Sequence, residues 1–199
     1  MTTAVPVPAQ RQLVLADVLG RSRTRDIALV VTAALFTAAL AQVSVPVPGS
    51  PVPITGQTLA VVLTAAALGP VRGFAGQGLY LLLGAVGLPF YSEASSGFEV
   101  IAGATGGYIV GFLPAAYLIG LAAQHKLDRV PLKALPLFVA GQAVIFAVGV
   151  PWLAVTANLS PAAALEAGFY PFIVGGLIKA AIAGAVLPGL WKLSRPDDN

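Results

Sequence analysis

One basic residue, Lys179, lies near the middle of an otherwise uncharged apolar stretch, residues 169–190. A helix of about 20 residues spans a bilayer, because each residue adds about 1.5 Å to its length. A charge at that depth costs about 2.5–3.5 kcal/mol on translocon scales, and such residues usually belong to a substrate or ion pathway. The first question that the sequence raises is therefore what neutralises this ammonium group.

The eight acidic residues offer no partner within an apolar segment. Two hypotheses stay open: Lys179 extends outward to water or to a glutamate, or it meets an anionic ligand that enters from outside. Helical spacing places Gly175 and Gly176 one turn before Lys179, so a notch precedes the ammonium. The acids fall into two groups, with Glu93, Glu99 and Glu166 in predicted external loops and Asp17, Asp26, Asp128, Asp197 and Asp198 on the other side.

Other residues of the same predicted outer half could complete a ligand site. A pocket with few polar groups and aromatic walls suits a small, partly apolar acid. The candidate polar groups are Ser95, Ser96, Thr105 and Tyr108, and the candidate apolar wall is Phe90, Tyr91 and Phe98.

The composition indicates the elements that hold these residues. Of 199 residues, 57% are apolar and only 10% are charged, against about 25% charged in soluble domains. We expect an integral membrane protein in the lipid bilayer, an all-α bundle of six transmembrane helices at about 27–43, 56–68, 73–88, 100–123, 135–157 and 169–190. Residues 1–26 would form a cytoplasmic N-terminal segment, 27–192 the transmembrane domain and 193–199 a cytoplasmic tail. A homo-oligomer is left open.

The charges predict the orientation. Six spans place ten of the eleven Lys and Arg residues on one side and only three glutamates on the other. By the positive-inside rule both termini are cytoplasmic, as expected for a multi-pass protein of a prokaryotic plasma membrane.

Several connecting segments have distinct patterns. Four prolines within residues 46–53 predict a rigid extended or re-entrant loop, and Thr55 can cap the helix that follows. Residues 10–19 could form an amphipathic surface helix. The fifth span should break near Pro151. In the first span, Ala34 and Ala38 form a small-residue face that either packs inside the bundle or lets another helix approach.

Other functions find little support. There is no cysteine, no HExxH, no paired intramembrane carboxylate and no ATP-binding Gly-x-x-x-x-Gly-Lys-Ser/Thr motif. We therefore expect neither an enzyme nor a cofactor, and a net charge of +3 is too small to predict nucleic-acid binding. A solitary or ion-coupled secondary carrier for a small carboxylic acid is the alternative, although such carriers often have internal repeats and midplane carboxylates.

A series of motifs then points to a family. Pro51-Val-Pro-Ile-Thr-Gly-Gln57, Leu68-Gly-Pro70, Tyr80-Leu-Leu-Leu-Gly-Ala-Val-Gly-Leu-Pro-Phe90, Gly103-Ala-Thr-Gly-Gly-Tyr108 and a late Gly-Gly-x-x-Lys179 occur in this order. The series closely resembles the BioY family, the biotin-binding S components of energy-coupling factor (ECF) vitamin transporters.

The resemblance implies a six-helix bundle that captures biotin in its outer half. The lysine at position 179 would engage the biotin carboxylate, with residues 90–97 and Gly176 beside the ligand and Ser95 as a polar contact. Ala34 and Ala38 would dock onto the transmembrane coupling subunit, and two cytoplasmic ATPase subunits would drive transport.

The sequence departs from the family pattern at two positions. Gly176 stands where the family commonly has an aspartate, and Ala104 stands where it commonly has a proline. Water, Ser95, Glu93 or Glu99 is a candidate replacement for the missing carboxylate.

Overall fold

The protein is mostly helical in the computed structural model, which describes residues 14–20 and 22–194. Two strands, β1 and β2, pair antiparallel with Ser44 opposite Thr55. The described part contains eight α-helices: α1 Arg23–Ala41, α2 Gln57–Leu68, α3 Pro70–Ala85, α4 Phe98–Ala102, α5 Gly106–Gln124, α6 Pro131–Thr156, α7 Pro161–Gly168 and α8 Phe172–Ser194. It also has two short 3₁₀ helices, Leu15–Leu19 and Ser92–Ala94, and the strands β1 Ser44–Val45 and β2 Ile54–Thr55.

Four helices of the described residues, α1, α5, α6 and α8, are long and apolar enough to cross a membrane. The two other predicted spans correspond to α2, with 12 residues, and α3, with 16 residues. They are separated at Gly69, whose φ of +84° lies in the left-handed region that favours glycine, and Pro70 then begins α3. The predicted break at Gly69-Pro70 is therefore confirmed, and the count of six spans stays a prediction.

Helix α5 is the centre of the bundle. In its most apolar window 61% of the residues are buried, against 28–33% in α1, α6 and α8. Its small residues permit close packing: a Cβ added at Gly120 would collide with the backbone of Gly69 and Pro70. The C-terminal half of α5 is thereby held against the turn between α2 and α3, while α6 packs on its other side and against α8.

Three predicted boundaries were wrong. The fourth span divides into α4 and α5 at Gly103, whose backbone is extended. A helix, α7, lies within residues expected to be a loop, because Ser160 caps it by accepting a hydrogen bond from the Ala163 N–H at 3.3 Å and Pro161 begins its first turn. Helix α6 continues through Pro151, where a break was expected.

The small-residue face of α1 packs inside the bundle. Ala34 is 0% exposed and Ala38 is 8% exposed, and α1 lies mainly against α3. At the contact of α1 with α3, Thr37 donates to the Ala33 carbonyl at 2.9 Å and accepts from Gln77 Nε2 at 3.2 Å. The burial agrees with the packing alternative for this face. A partner could reach Ala34 and Ala38 only if α1 moved away from α3.

The N-terminal part of the chain closes one end of the bundle. A 3₁₀ helix, Leu15–Leu19, replaces the C-terminal half of the amphipathic helix expected at 10–19, of which residues 10–13 lie outside the described ranges. Asp17 and Asp26 meet Arg25 and Arg72 here, and we call these four residues the basal cluster. Its shortest ion pairs join Arg72 Nη2 to Asp17 Oδ1 at 2.7 Å and Arg25 Nη2 to Asp26 Oδ1 at 2.8 Å.

Candidate ligand-binding site

A cavity of about 340 Å³ lies at the end of the bundle opposite the basal cluster. It opens between two loops and four helices. The loops are the Pro-rich loop, residues 46–53, and the loop after α3, residues 86–97; the helices are α2, α5, α6 and α8. Its volume is within the range of about 300–1,000 Å³ that is common for small-molecule sites. Apolar side chains form much of its wall, among them Val52, Val100, Ile109, Phe112, Ile145, Phe146 and Phe172.

Lys179 projects from α8 into this cavity and is half-buried. Its Nζ donates to the Thr55 carbonyl oxygen at 2.6 Å and to Thr58 Oγ1 at 3.1 Å. Both partners are neutral, and within the described ranges Lys179 forms no salt bridge. The ammonium is therefore oriented by the chain, but its charge is not balanced by a carboxylate of the chain.

The Pro-rich loop and α2 present these two oxygens to Lys179. Because β1 pairs with β2, the two ends of the Pro-rich loop lie side by side. Gly56 follows β2 and is the N-cap residue of α2. Thr55 was predicted as the cap, but the N-cap residue is Gly56; Thr55 Oγ1 instead accepts from the Gln57 N–H at 3.4 Å and donates to Gln57 Oε1 at 2.6 Å. The first turn of α2 and the ammonium consequently lie side by side, and both favour an anion.

The loop after α3 contributes Tyr91 and Ser95, as predicted, together with Ser92 and Glu93. Tyr91 is 1% exposed, and its hydroxyl donates to the Leu81 carbonyl at 2.6 Å. Burial raises the pKa of Tyr91 to about 12, so its phenol stays neutral at physiological pH. Ser95 Oγ donates to the Ser92 carbonyl at 2.6 Å, which closes a short turn within this loop.

Two predicted residues of this loop do not line the cavity. Ser96 is absent from its wall, and Phe90 is packed behind it, with its ring stacked at 6.5 Å from that of Tyr80. Tyr91 and Ser95 therefore line the cavity, whereas their chain neighbours Phe90 and Ser96 do not. Phe98, at the start of α4, is 71% exposed and also lies outside the wall.

Helix α5 supplies Thr105 and Tyr108, both predicted and both lining the cavity. Thr105 is the N-cap residue of α5, so the two residues lie within its first turn. The Tyr108 hydroxyl donates to the Gly168 carbonyl at 2.9 Å and so connects α5 to α7. Its ring contacts that of Phe146 edge to face, at 6.2 Å, which fixes the aromatic part of the wall.

Two glutamines at the cavity were not predicted. Gln57, in the first turn of α2, is 7% exposed and Gln142, in α6, is 5% exposed. Gln142 Nε2 donates to the Gly176 carbonyl at 2.8 Å, so α6 and α8 meet beside Lys179. The sequence could have indicated Gln142, because it is an amide in an otherwise apolar helical segment. A single amide is, however, a weaker signal than a charge.

The position of Gly176 in the cavity is as expected, and its neighbour is Gln142. A Cβ added at Gly176 would lie 2.6 Å from Gln142 Oε1. Of the candidate replacements for an acid here, Ser95 and Glu93 line the cavity and Glu99 does not. Glu93 is exposed and accepts a hydrogen bond from Ser44 Oγ at 3.4 Å.

The arrangement is suited to holding a ligand. One end has an ammonium beside a helix N-terminus, and aromatic and aliphatic side chains enclose the rest. Within residues 14–20 and 22–194 there is no cluster of His, Asp or Glu that could hold a metal ion.

Comparisons with known proteins show what the chain is similar to. The profile of the BioY family matches residues 10–196. The chain is 37% identical over 166 residues to the biotin transporter BioY of Thermotoga maritima, covering 82% of this chain and 95% of that protein. It is 36% identical over 161 residues to the probable biotin transporter BioY of Pyrococcus horikoshii, covering 81% and 93%.

The fold has a counterpart among solved structures. The crystal structure at 2.1 Å of the S-component for biotin from an ECF-type ABC transporter superposes with a TM-score of 0.78. The match covers 87% of this chain and 95% of that one, at 24% sequence identity, and so concerns the fold. The relatives named above are transporters rather than enzymes. The family profile spans nearly the whole sequence, and the chain belongs to the BioY family.

Proposed function

We propose that this protein captures biotin in the cavity beside Lys179 and serves as the binding component of a biotin uptake system. The observation that carries the proposal is the ammonium of Lys179, which is held in the cavity by two neutral oxygens. Biotin has one carboxylate on a flexible apolar chain, and a carboxylate is the group that this ammonium lacks. The names of the relatives support biotin as the specific acid.

In this proposal the protein crosses the plasma membrane six times, with α2 and α3 as the two shorter spans and both termini in the cytoplasm. The distribution of charge supports that orientation, because the basal cluster lies at the end opposite the cavity. The positive-inside rule then directs the cavity to the outside. Biotin would enter between the Pro-rich loop and the loop after α3.

Energy would come from other subunits, because the sequence contains no ATP-binding motif. We propose a transmembrane coupling subunit and two ATPases, the partners that the resemblance to ECF S components implies; the protein of similar fold is described as the S-component of an ECF-type ABC transporter. An ion-coupled carrier would need a group that binds the ion near the ligand. Glu93 is a carboxylate of the cavity wall, but it is exposed and forms no ion pair with Lys179 in the described part of the chain.

Binding of labelled biotin to the purified protein in detergent tests the proposal. Lys179→Gln should weaken binding by at least about 30-fold, because the ligand carboxylate would lose its charged partner in a half-buried site. Lys133→Gln is the matched control, since Lys133 is exposed at the start of α6 and does not line the cavity. Absence of biotin binding by the unsubstituted protein would refute the proposed function.

Uptake into proteoliposomes tests the proposed energy source. The protein alone should bind external biotin without accumulating it, and addition of the coupling subunit, the ATPases and internal ATP should start accumulation. Accumulation by the protein alone, driven by an ion gradient, would instead identify a secondary carrier.

A further inference from the structure

Two buried amides line the cavity, and they differ in whether both of their ends have hydrogen-bond partners. The Gln57 amide has partners at both ends, because Nε2 donates to the Tyr80 hydroxyl and Oε1 accepts from Thr55 Oγ1 at 2.6 Å. Gln142 uses only its Nε2, which donates to the Gly176 carbonyl at 2.8 Å. Its Oε1 has no hydrogen-bond partner among the described residues.

The orientation of the Gln142 amide follows from its one partner. A carbonyl oxygen such as that of Gly176 can only accept, so the NH₂ end must face it and the oxygen must face away. The oxygen belongs to a side chain in the cavity wall that is only 5% exposed. The oxygen is accessible from the cavity, so a ligand that displaces water from it leaves it unpaired unless the ligand brings a donor.

The space for this amide comes from the residue opposite. A Cβ at Gly176 would lie 2.6 Å from Gln142 Oε1, which is too close for an undisturbed contact. The absence of a side chain on α8 therefore lets the side chain on α6 reach the cavity. Gly176 is one helical turn before Lys179, so acceptor and ammonium are on neighbouring levels of the same wall.

We infer that Gln142 is a specificity-determining residue whose Oε1 accepts a hydrogen bond from an N–H group of the ligand. The inference rests on the proposed function and deepens it, because biotin carries a ureido ring with two N–H donors at the end opposite its carboxylate. Lys179 then selects the carboxylate and Gln142 selects the ureido ring. An acid without an N–H group leaves the amide oxygen unpaired and binds less tightly.

The test compares two ligands in matched variants. Tetrahydrothiophene-valeric acid keeps the sulfur ring and the carboxylate of biotin but lacks the ureido ring, and its affinity is obtained by competition with labelled biotin. Gln142→Met retains the approximate size of the side chain and removes the amide. Gln124→Met is the control, because Gln124 ends α5 and does not line the cavity.

For Gln142→Met, biotin binding should weaken about tenfold or more, whereas binding of the acid without a ureido ring should change less than twofold. Gln124→Met should leave both affinities unchanged. Gly176→Ala is the second variant, and it should also weaken biotin selectively, because its Cβ displaces the Gln142 oxygen. It gives the same information if Gln142→Met does not fold.

Each contrary result has one meaning. Equal losses for the two ligands would overturn the inference, because Gln142 would then act only through the packing of α6 against α8. An unchanged biotin affinity in Gln142→Met, with binding still sensitive to Lys179→Gln, would also overturn it and leave the proposed function intact. A failure of the unsubstituted protein to bind biotin would remove the proposed function and this inference together.

Discussion

The basal cluster and the cavity place basic residues in opposite situations. In the basal cluster, Arg72 Nη2 lies 2.7 Å from Asp17 Oδ1 and its Nε lies 3.3 Å from Asp26 Oδ1. In the cavity, Lys179 contacts the neutral oxygens of Thr55 and Thr58. The chain therefore balances charge internally at one end and leaves a positive charge uncompensated at the other.

The difference separates a structural role from the binding role that we propose. A paired charge joins segments, and here Arg72 connects α3 to the N-terminal 3₁₀ helix and to α1. The 3₁₀ helix is also packed through Val14, which is 2% exposed. An unbalanced, half-buried charge carries a desolvation cost, which two neutral hydrogen bonds offset only in part, and it favours an anionic ligand. We expect substitutions at the two ends to affect different measurements.

The largest effect should come from giving Lys179 a partner of its own. Thr58→Asp would place a carboxylate near Nζ, where the threonine hydroxyl now lies at 3.1 Å. Biotin affinity should fall about 100-fold or more, because the ligand carboxylate would meet a neutralised ammonium and a like charge. Thr156→Asp, at the exposed end of α6, is the control for an added acid. Equilibrium binding would measure both, and undiminished affinity in Thr58→Asp would contradict the role of the charge.

The converse change is Arg72→Gln in the basal cluster. It removes from the buried carboxylate of Asp17, whose side chain is 5% exposed, the guanidinium that lies 2.7 Å away. The thermal unfolding midpoint in detergent should fall by about 5 °C, while the biotin affinity of the folded protein stays within about twofold. Lys179→Gln should show the reverse pattern, with weaker biotin binding and a midpoint that is unchanged or raised, because an uncompensated charge is removed. Similar midpoints for the two variants would remove the distinction between the two ends.

A smaller effect is expected from Thr58→Val. The substitution removes one hydroxyl that orients Lys179 but leaves the Thr55 carbonyl, at 2.6 Å, in place. Biotin affinity should fall about threefold, as for the loss of one neutral hydrogen bond. A loss as large as that of Thr58→Asp would mean that orientation of the ammonium, rather than its charge, governs binding.

The smallest effect should be that of Ser96→Ala. Ser96 is next to Ser95 in the chain but does not line the cavity, so its hydroxyl should not contact a ligand. Biotin affinity should be unchanged within error. Ser95→Ala is the informative neighbour, because Ser95 Oγ donates to the Ser92 carbonyl at 2.6 Å and lines the cavity. If Ser96→Ala weakened binding more than Ser95→Ala, the loop would adopt another arrangement with ligand bound.

The apolar helices and the place of Lys179 at a candidate site can be predicted from the sequence, because both signals are strong. An isolated charge within a long apolar stretch is conspicuous, and Gly69-Pro70 marks the end of one helix and the start of another. Breaks that depend on tertiary packing are harder to predict, as at Gly103, where α4 ends, and at Pro151, through which α6 continues.

The remainder of the site was less predictable for a physical reason. Side chains in an irregular loop follow no period, so nothing in the sequence separates Ser95 from Ser96; hydrogen bonds such as that from the Tyr91 N–H to the Ser95 carbonyl, at 3.0 Å, do so. Gln142 lies in a helix whose mean hydropathy reaches 2.0, which hides a single amide. Its place in the cavity wall depends on Gly176, 34 residues away, and so appears only once α6 and α8 are packed.

The two hydrogen bonds of Lys179 also limit how many further oxygens its ammonium group can bind. An ammonium group has three N–H donors, and within the described residues two of them are occupied, by Thr55 and Thr58. One donor remains for an incoming oxygen. For the proposed ligand, a carboxylate can therefore be received without breaking either contact, so biotin can bind while the Pro-rich loop stays attached to α8.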